Sequence, residues 1–170
     1  MKRAIVTGGT GYIGCQLVDA LAQRSVEIVA LARKTALADA KEFVRSRGAT
    51  VYEVELAGDE DLSNRFAGCQ VWFHLIGSIQ RARSDPFDRR HREITARLAA
   101  QAKRAGIGRV IFLTSLGTAA DANNEYHRSK WQAEREIVQW GVAGALVRPG
   151  LICGRGVGPR FSKMVQRYIE

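Results

Sequence analysis

Seven residues near the start of the chain, Gly8-Gly9-Thr10-Gly11-Tyr12-Ile13-Gly14, constrain its fold more than any other segment. They follow directly on the apolar run Ala4-Ile5-Val6 and lead into Cys15-Gln16-Leu17-Val18-Asp19-Ala20-Leu21, so a glycine-rich turn joins a predicted strand to a predicted helix. Glycines also make ordinary tight turns, but a strand before and a helix after make this pattern a dinucleotide site. Backbone without Cβ can approach a pyrophosphate closely. The following helix offers free N–H groups and the positive end of its dipole to the phosphate charge. Gly8, Thr10, Gly11, Tyr12, Ile13 and Gly14 are therefore the expected pyrophosphate cradle.

Beyond this turn, short β-branched runs alternate with helical patterns, and no Pro/Ser-rich linker or internal repeat interrupts them. That alternation is the mark of βα units on a parallel sheet. Strands are expected at Lys2–Thr7, Glu27–Ala32, Thr50–Glu55, Val71–Leu75, Arg109–Thr114 and Ala143–Val147. The longest helix is expected from Phe87 to Ala105, with Ile94, Leu98, Ala102 and Ala105 on one apolar stripe and Gly106 as a left-handed stop. Right-handed crossovers then predict an α/β Rossmann-type, doubly wound sheet in the order 3-2-1-4-5-6, with the cofactor across the switch point. Residues 1–150 make the dinucleotide-binding domain. Residues 151–170, with a short helical pattern at Phe161–Ile169, make the start of a substrate region that is minimal or incomplete.

The 170 residues are 46% hydrophobic and 25% charged, ordinary for a globular domain with a real core. No apolar stretch approaches the roughly 18 to 20 residues that cross a bilayer, and Met1-Lys2-Arg3 enters the first strand without a signal-like segment, so a cytoplasmic location is expected. Cys15, Cys69 and Cys153 are far apart, which excludes a short CxxC motif; three small core residues in a reducing compartment are expected, and no metal site. The formal charge of +9 is densest at Arg81–Arg92, where five arginines fall in twelve positions. Four readings of that patch stay open: an anionic cofactor, an acidic protein partner, peripheral contact with an anionic membrane, or a solvated face. Nucleic acid is disfavoured, because aromatics are not interleaved with the basic residues.

Where a carboxylate would bond the adenosine ribose hydroxyls after the second strand, the chain has Ala32, followed by Arg33 and Lys34. Two cations suit a 2′-phosphate, so NADP(H) is favoured over NAD(H); Arg33 stacked on adenine or turned to water is the alternative. Glu55-Leu56 closes the third strand, where a carboxylate can accept from the adenine amino group. Gly77, after the fourth, lets the chain pass close to the cofactor's central ribose region, and His74 just before it is expected to be a packed, satisfied strand residue. Ser115 ends the fifth strand, and Tyr126 and Lys130 stand one helical turn apart beyond it. A phenol is a poor base near neutral pH, but an adjacent ammonium favours the phenolate. Ser115 can then orient a carbonyl or alcohol oxygen while Tyr126 exchanges its proton and a nicotinamide exchanges a hydride.

Taken together, Thr7 to Gly14, the Arg33 position, Ala105 to Ser115, Tyr126 with Lys130, and Arg148-Pro149-Gly150 before Ile152-Cys153-Gly154 resemble an atypical or extended short-chain dehydrogenase/reductase of the NAD-dependent epimerase/dehydratase group. Ser115-Leu116-Gly117-Thr118 before Tyr126-His127-Arg128-Ser129-Lys130, with Arg89 to Thr95 upstream, is similar to the nucleotide-binding accessory subunit family of respiratory complex I. The resemblance implies Tyr126 as acid/base, Ser115 as orienting residue, and Lys130 holding the nicotinamide ribose and lowering the tyrosine pKa. Ser115 precedes Tyr126 by 11 positions, closer than in the sugar epimerases of the group, which argues against a nucleotide-sugar substrate. Two functions follow: an oxidoreductase acting on an unidentified small molecule, or a non-catalytic subunit that holds the dinucleotide and docks through Arg81–Arg92.

Overall fold

In the computed structural model, residues 1–78 and 89–152 are described. The expected helix Phe161–Ile169, Cys153, Arg81 and Arg83 lie outside them. Six strands, β1 (Arg3–Thr7), β2 (Glu27–Arg33), β3 (Thr50–Val54), β4 (Val71–His74), β5 (Arg109–Leu113) and β6 (Ala143–Val147), form one sheet in the order β3-β2-β1-β4-β5-β6. Every pairing is parallel. The Rossmann-type order expected from the alternating pattern is thus the order found, with the reversal between β1 and β4 opening a crevice at the strands' carboxyl ends.

The strands form where they do because apolar residues on both sides can be covered by helices. Along β1, Ile5 packs with Val29, Leu31, Trp72, Val110 and Phe112 under α4 (Ile94–Arg104) and α5 (Glu125–Trp140). Ala4 and Val6 face the opposite way, onto Cys15, Val18 and Leu21 of α1 (Tyr12–Ala22) and Val44 of α2 (Ala38–Ser46). Cys15 and Cys69 are free and buried, as expected of small core residues. The register brings Thr7 of β1 level with Leu31 of β2 and His74 of β4, and His74 level with Phe112 of β5. One row of residues therefore marks the floor of the crevice.

The expected helix from Phe87 to Ala105 is not one regular α-helix over its described part. A π-helical turn at Arg89–Glu93 precedes α4, and Gly106 then takes φ +76° just beyond its end. The Thr95 hydroxyl donates to the carbonyl of His91, a back-bond within the chain's own backbone that accompanies the wider turn. Ile94, Leu98 and Ala102 are buried as the stripe requires, while Ala105 is half-buried at its edge. No helix among the described residues is long and apolar enough to cross a membrane.

Candidate dinucleotide and catalytic site

The loop after β1 supplies the cradle. Gly8 has φ +82°, and a Cβ there would stand 2.9 Å from the carbonyl carbon of Leu75, so β4's exit packs on bare backbone. A Cβ on Gly14 would stand 2.2 Å from the Gly8 carbonyl oxygen, whereas one on the exposed Gly11 would meet that same oxygen at 3.2 Å and nothing else nearby. Gly14 thus presses α1 onto the loop, and Gly11 keeps the space above it open. Helix α1 starts at Tyr12 with no side-chain cap and no acidic residue in its first turn, which suits an anion at its N-terminus. Thr10, Tyr12 and Ile13 are half-buried around that start. Gly14→Ala should therefore weaken dinucleotide binding and also destabilise the fold by about 1 to 3 kcal/mol through overpacking. Gly11→Ala should weaken binding alone. Urea unfolding and a fluorescence titration of both variants separate the two; an unchanged Gly14→Ala midpoint would refute the packing role.

Towards the adenosine side, Arg33 is exposed as the last residue of β2, opposite Val54. Glu55 is exposed just past β3, and its Oε1 accepts from the Ala57 amide at 3.2 Å. Leu56 is buried. With Ala57 it borders a cleft of about 120 Å³ whose other wall is Glu93, Ile94 and Arg97. Arg97, which no sequence motif marks, donates through its guanidinium to the carbonyls of Leu56 (3.0 Å), Gly58 and Glu60 (3.1 Å) and so ties this loop to α4. A lone arginine between Ile94-Thr95-Ala96 and Leu98-Ala99-Ala100 reads as the polar face of an amphipathic helix, and no pattern in the sequence distinguishes it.

At the other end, His74 is fully buried and both its ring nitrogens are engaged, as expected of a packed strand residue. Trp72 Nε1 donates to Thr7 Oγ1 (3.1 Å), and Thr95 spends its hydroxyl hydrogen on the His91 carbonyl. Hence Thr7 donates to His74 Nδ1 (2.7 Å), and His74 Nε2–H donates to Thr95 (2.8 Å). The ring is neutral in this arrangement. Burial first, then the ammonium of Lys130, holds its pKa well below the usual histidine value.

Ser115, Tyr126 and Lys130 come together where β5 ends and α5 begins. Asn124 caps α5, its side chain accepting from the His127 amide at 2.8 Å. Tyr126 is half-buried and close enough to the Ser115 hydroxyl to be influenced by it, while Ser115 Oγ donates to the Leu116 carbonyl at 3.2 Å. Lys130, 2% exposed, turns under it and donates to the carbonyls of Ile76 and Leu113, both at 3.0 Å. A Cβ on Gly77 would lie 2.9 Å from its Nζ, so this glycine makes room for the ammonium.

The electrostatics depart from the expected activation of the phenol. Burial raises the Tyr126 pKa, opposed by the Ser115 hydroxyl, with no lowering contribution from Lys130. Lys130 itself is lowered to about 8 by burial, against which Glu134 one turn on pulls upward. Arg148, of the Arg148-Pro149-Gly150 segment, holds Glu134 in a two-pronged pair (Nε to Oε1 2.9 Å). Of the Arg81–Arg92 patch, Arg81, Arg83 and the Arg89 and Arg90 side chains lie outside what is described. Arg92 pairs with Glu136 of α5 at 3.4 Å, and His91 is buried rather than part of a surface.

A glycine cradle at the switch point and a Ser-Tyr-Lys cluster facing it define a nicotinamide-dinucleotide fold of the short-chain dehydrogenase/reductase kind. The chain belongs to the NAD-dependent epimerase/dehydratase family, whose sequence profile matches residues 4–170. It is 30% identical over 151 residues to a ceramide reductase of Caulobacter vibrioides, across 89% of this chain and 46% of that protein. It is 31% identical over 172 residues to a 4-hydroxy-2-methyl-3-oxo-4-farnesyl-3,4-dihydroquinoline-1-oxide ketoreductase of Stigmatella aurantiaca, across 89% of this chain and 51% of that one. The chain spans about half the length of these relatives. In fold it is similar to the UDP-glucuronic acid 4-epimerase of Bacillus cereus in complex with NAD, with a TM-score of 0.76 at 16% identity over 92% of this chain and 58% of the other. These matches establish the epimerase/dehydratase family and do not bear on the narrower likeness to complex I accessory subunits.

Proposed function

We propose that the chain is the dinucleotide-binding half of a reductase that uses NADPH in preference to NADH and converts a carbonyl on a largely apolar molecule to an alcohol. The observation that carries this reading is the meeting of Ser115 and Tyr126 with Lys130 buried beneath them, at the carboxyl edge of β5 beside the glycine loop. When bound, the nicotinamide supplies the hydride to the carbonyl carbon. Ser115 holds the carbonyl oxygen, Tyr126 gives it the proton that completes the alcohol, and the phenol is reprotonated from solvent. A phenol whose pKa is raised by burial stays protonated at neutral pH, which suits reduction.

Two features favour an apolar substrate. Leu116, directly after Ser115, is 66% exposed, and Leu151, just past Gly150, is 75% exposed, an apolar lip beside the hydroxyl that would hold the reacting oxygen. The relatives named above are a ceramide reductase and a farnesylated-quinoline ketoreductase. NADPH oxidation by the full-length protein should be faster with long-chain or polycyclic ketones than with small polar carbonyls. Tight NADPH binding without oxidation by any of them would favour the cofactor-holding subunit instead.

The preference for NADPH rests on exposed Arg33 and Lys34 after Ala32, where charge-assisted contacts to a 2′-phosphate replace a ribose contact. Titration should show tighter binding of NADPH than NADH, and Arg33→Ala should reduce that preference by about 1 to 3 kcal/mol. Equal affinities for the two in the parent would remove the argument.

A further inference from the structure

His91 sits within the most basic stretch of the chain, yet it is 1% exposed, on the π-helical turn that leads into α4. Its two ring nitrogens reach different parts of the site. Nδ1 lies 2.8 Å from Ser129 Oγ, and Nε2 lies 3.3 Å from the Ser78 amide nitrogen. The proton positions follow from the partners. Ser129 donates its hydroxyl hydrogen to the Tyr126 carbonyl (2.8 Å), so it accepts from His91 Nδ1–H; the Ser78 N–H donates to Nε2. The ring is a neutral bridge with one donor and one acceptor face. Its edge contact with the Tyr126 ring (centroids 5.4 Å apart, planes at 83°) braces the phenol, and the Thr95 hydroxyl holds the His91 carbonyl from the next turn.

From this geometry we propose that His91 is a positioning residue: its imidazole ties the exit of β4 at Gly77–Ser78 to the first turn of α5, and so sets where the nicotinamide end of the cofactor rests relative to Tyr126. The assignment rests on the dinucleotide reading of the site. Ser78 and Gly77 line the crevice where the central part of a dinucleotide would pass, and Tyr126 belongs to the opposite wall. Without the bridge, Ser78 loses an acceptor for its amide, and the Lys130 contact to the Ile76 carbonyl is left to hold β4's exit. A bulk loss of fold would damage the whole cofactor site. Loss of this bridge damages the nicotinamide end and spares the adenosine end, which is bordered by Arg33, Leu56 and Arg97.

The test uses the full chain with His91→Leu, which keeps bulk and removes both polar faces, and His91→Gln, whose side-chain carbonyl can again accept from Ser78. Amide hydrogen exchange at Ser78 in the ligand-free protein should quicken about tenfold in His91→Leu and return most of the way in His91→Gln. NADPH should bind about tenfold more weakly to His91→Leu, while adenosine 2′,5′-bisphosphate, which carries only the adenosine end, keeps its parent affinity. Equal weakening of both ligands would reduce His91 to a folding residue, and unchanged Ser78 exchange would show that no bridge exists; either result overturns the proposal. Turnover is not among the readouts, so a chain that binds NADPH but reduces nothing would sink the reductase reading and leave His91's role standing.

Discussion

Tyr126→Phe should lower turnover of any carbonyl that the parent reduces by about 10² to 10⁴, while NADPH affinity stays nearly unchanged. The phenol's work is confined to its hydroxyl. Its ring packs edge-on against His91 and beside His127 (centroids 5.2 Å apart), contacts that Phe repeats, so the first turn of α5 keeps its shape. What disappears is the proton that completes the alcohol. Because burial holds the phenol's pKa above its ordinary value, the parent's reduction rate should show no acid-side requirement for ionised tyrosine and should fall only at high pH, as the phenol deprotonates. Steady-state kinetics of both proteins across pH make the measurement. Full activity in Tyr126→Phe would mean that another group delivers the proton.

How much of this arrangement could be read beforehand depended on whether the signal was periodic or geometric. The strands were legible because interior parallel strands must be apolar on both sides: Ala4–Val6 and Ile28–Ala32 are continuous apolar runs bounded by Gly8 and Lys34-Thr35, and their observed ends differ from expectation by a residue or less. Ala143–Val147 was placed to the residue although it is the most exposed strand, because Gly141 closes α5 in a left-handed turn (φ +70°) just before it. The glycine spacing of the loop after β1 was legible because the close packing of Gly14 against Gly8 imposes it.

The fine structure of the Tyr126 neighbourhood was not legible, and the cause is direction rather than position. A spacing of four places Tyr126 and Lys130 on one helix face, but it does not say that the lysine stem runs inward until its ammonium meets the Ile76 and Leu113 carbonyls. His91 was hidden by its neighbours, because a histidine among arginines reads as part of a solvated patch. Its burial depends on the π-helical turn, which no hydrophobic period announces. Thr95 and Ser129 are small hydroxyl residues on helices, and only the network shows that each has spent its single hydrogen on a backbone carbonyl and thereby decides the tautomer of a histidine.

The ligand-free protein should become more stable as pH rises from 8 to about 10, with Lys130 contributing about 2 kcal/mol of the gain. Its folded pKa of about 8 lies below the ordinary lysine value near 10.5 that the unfolded chain has. Between the two, the unfolded state binds one proton more than the folded state, so unfolding grows costlier with increasing pH; below 8 both states are protonated, and the buried charge is a standing cost. Cofactor affinity should move the other way. An ammonium has three N–H donors, of which the Ile76 and Leu113 carbonyls take two, leaving one for a ribose hydroxyl; the neutral amine has none to spare. NADPH should therefore bind more weakly above pH 8 than below it. Lys130→Met makes the comparison specific, since it removes the titrating group but keeps the stem's packing. It orphans two carbonyls, at about 1 to 3 kcal/mol each, which offsets the relief from the buried charge at pH 7 and leaves the variant clearly less stable than the parent at pH 10. Urea unfolding and NADPH titration at pH 7 and pH 9.5 on both proteins read all four quantities. If Lys130→Met retains the parent's rise in stability over that interval, the buried lysine is not its source, and the link between a destabilising charge and the cofactor it serves falls with it.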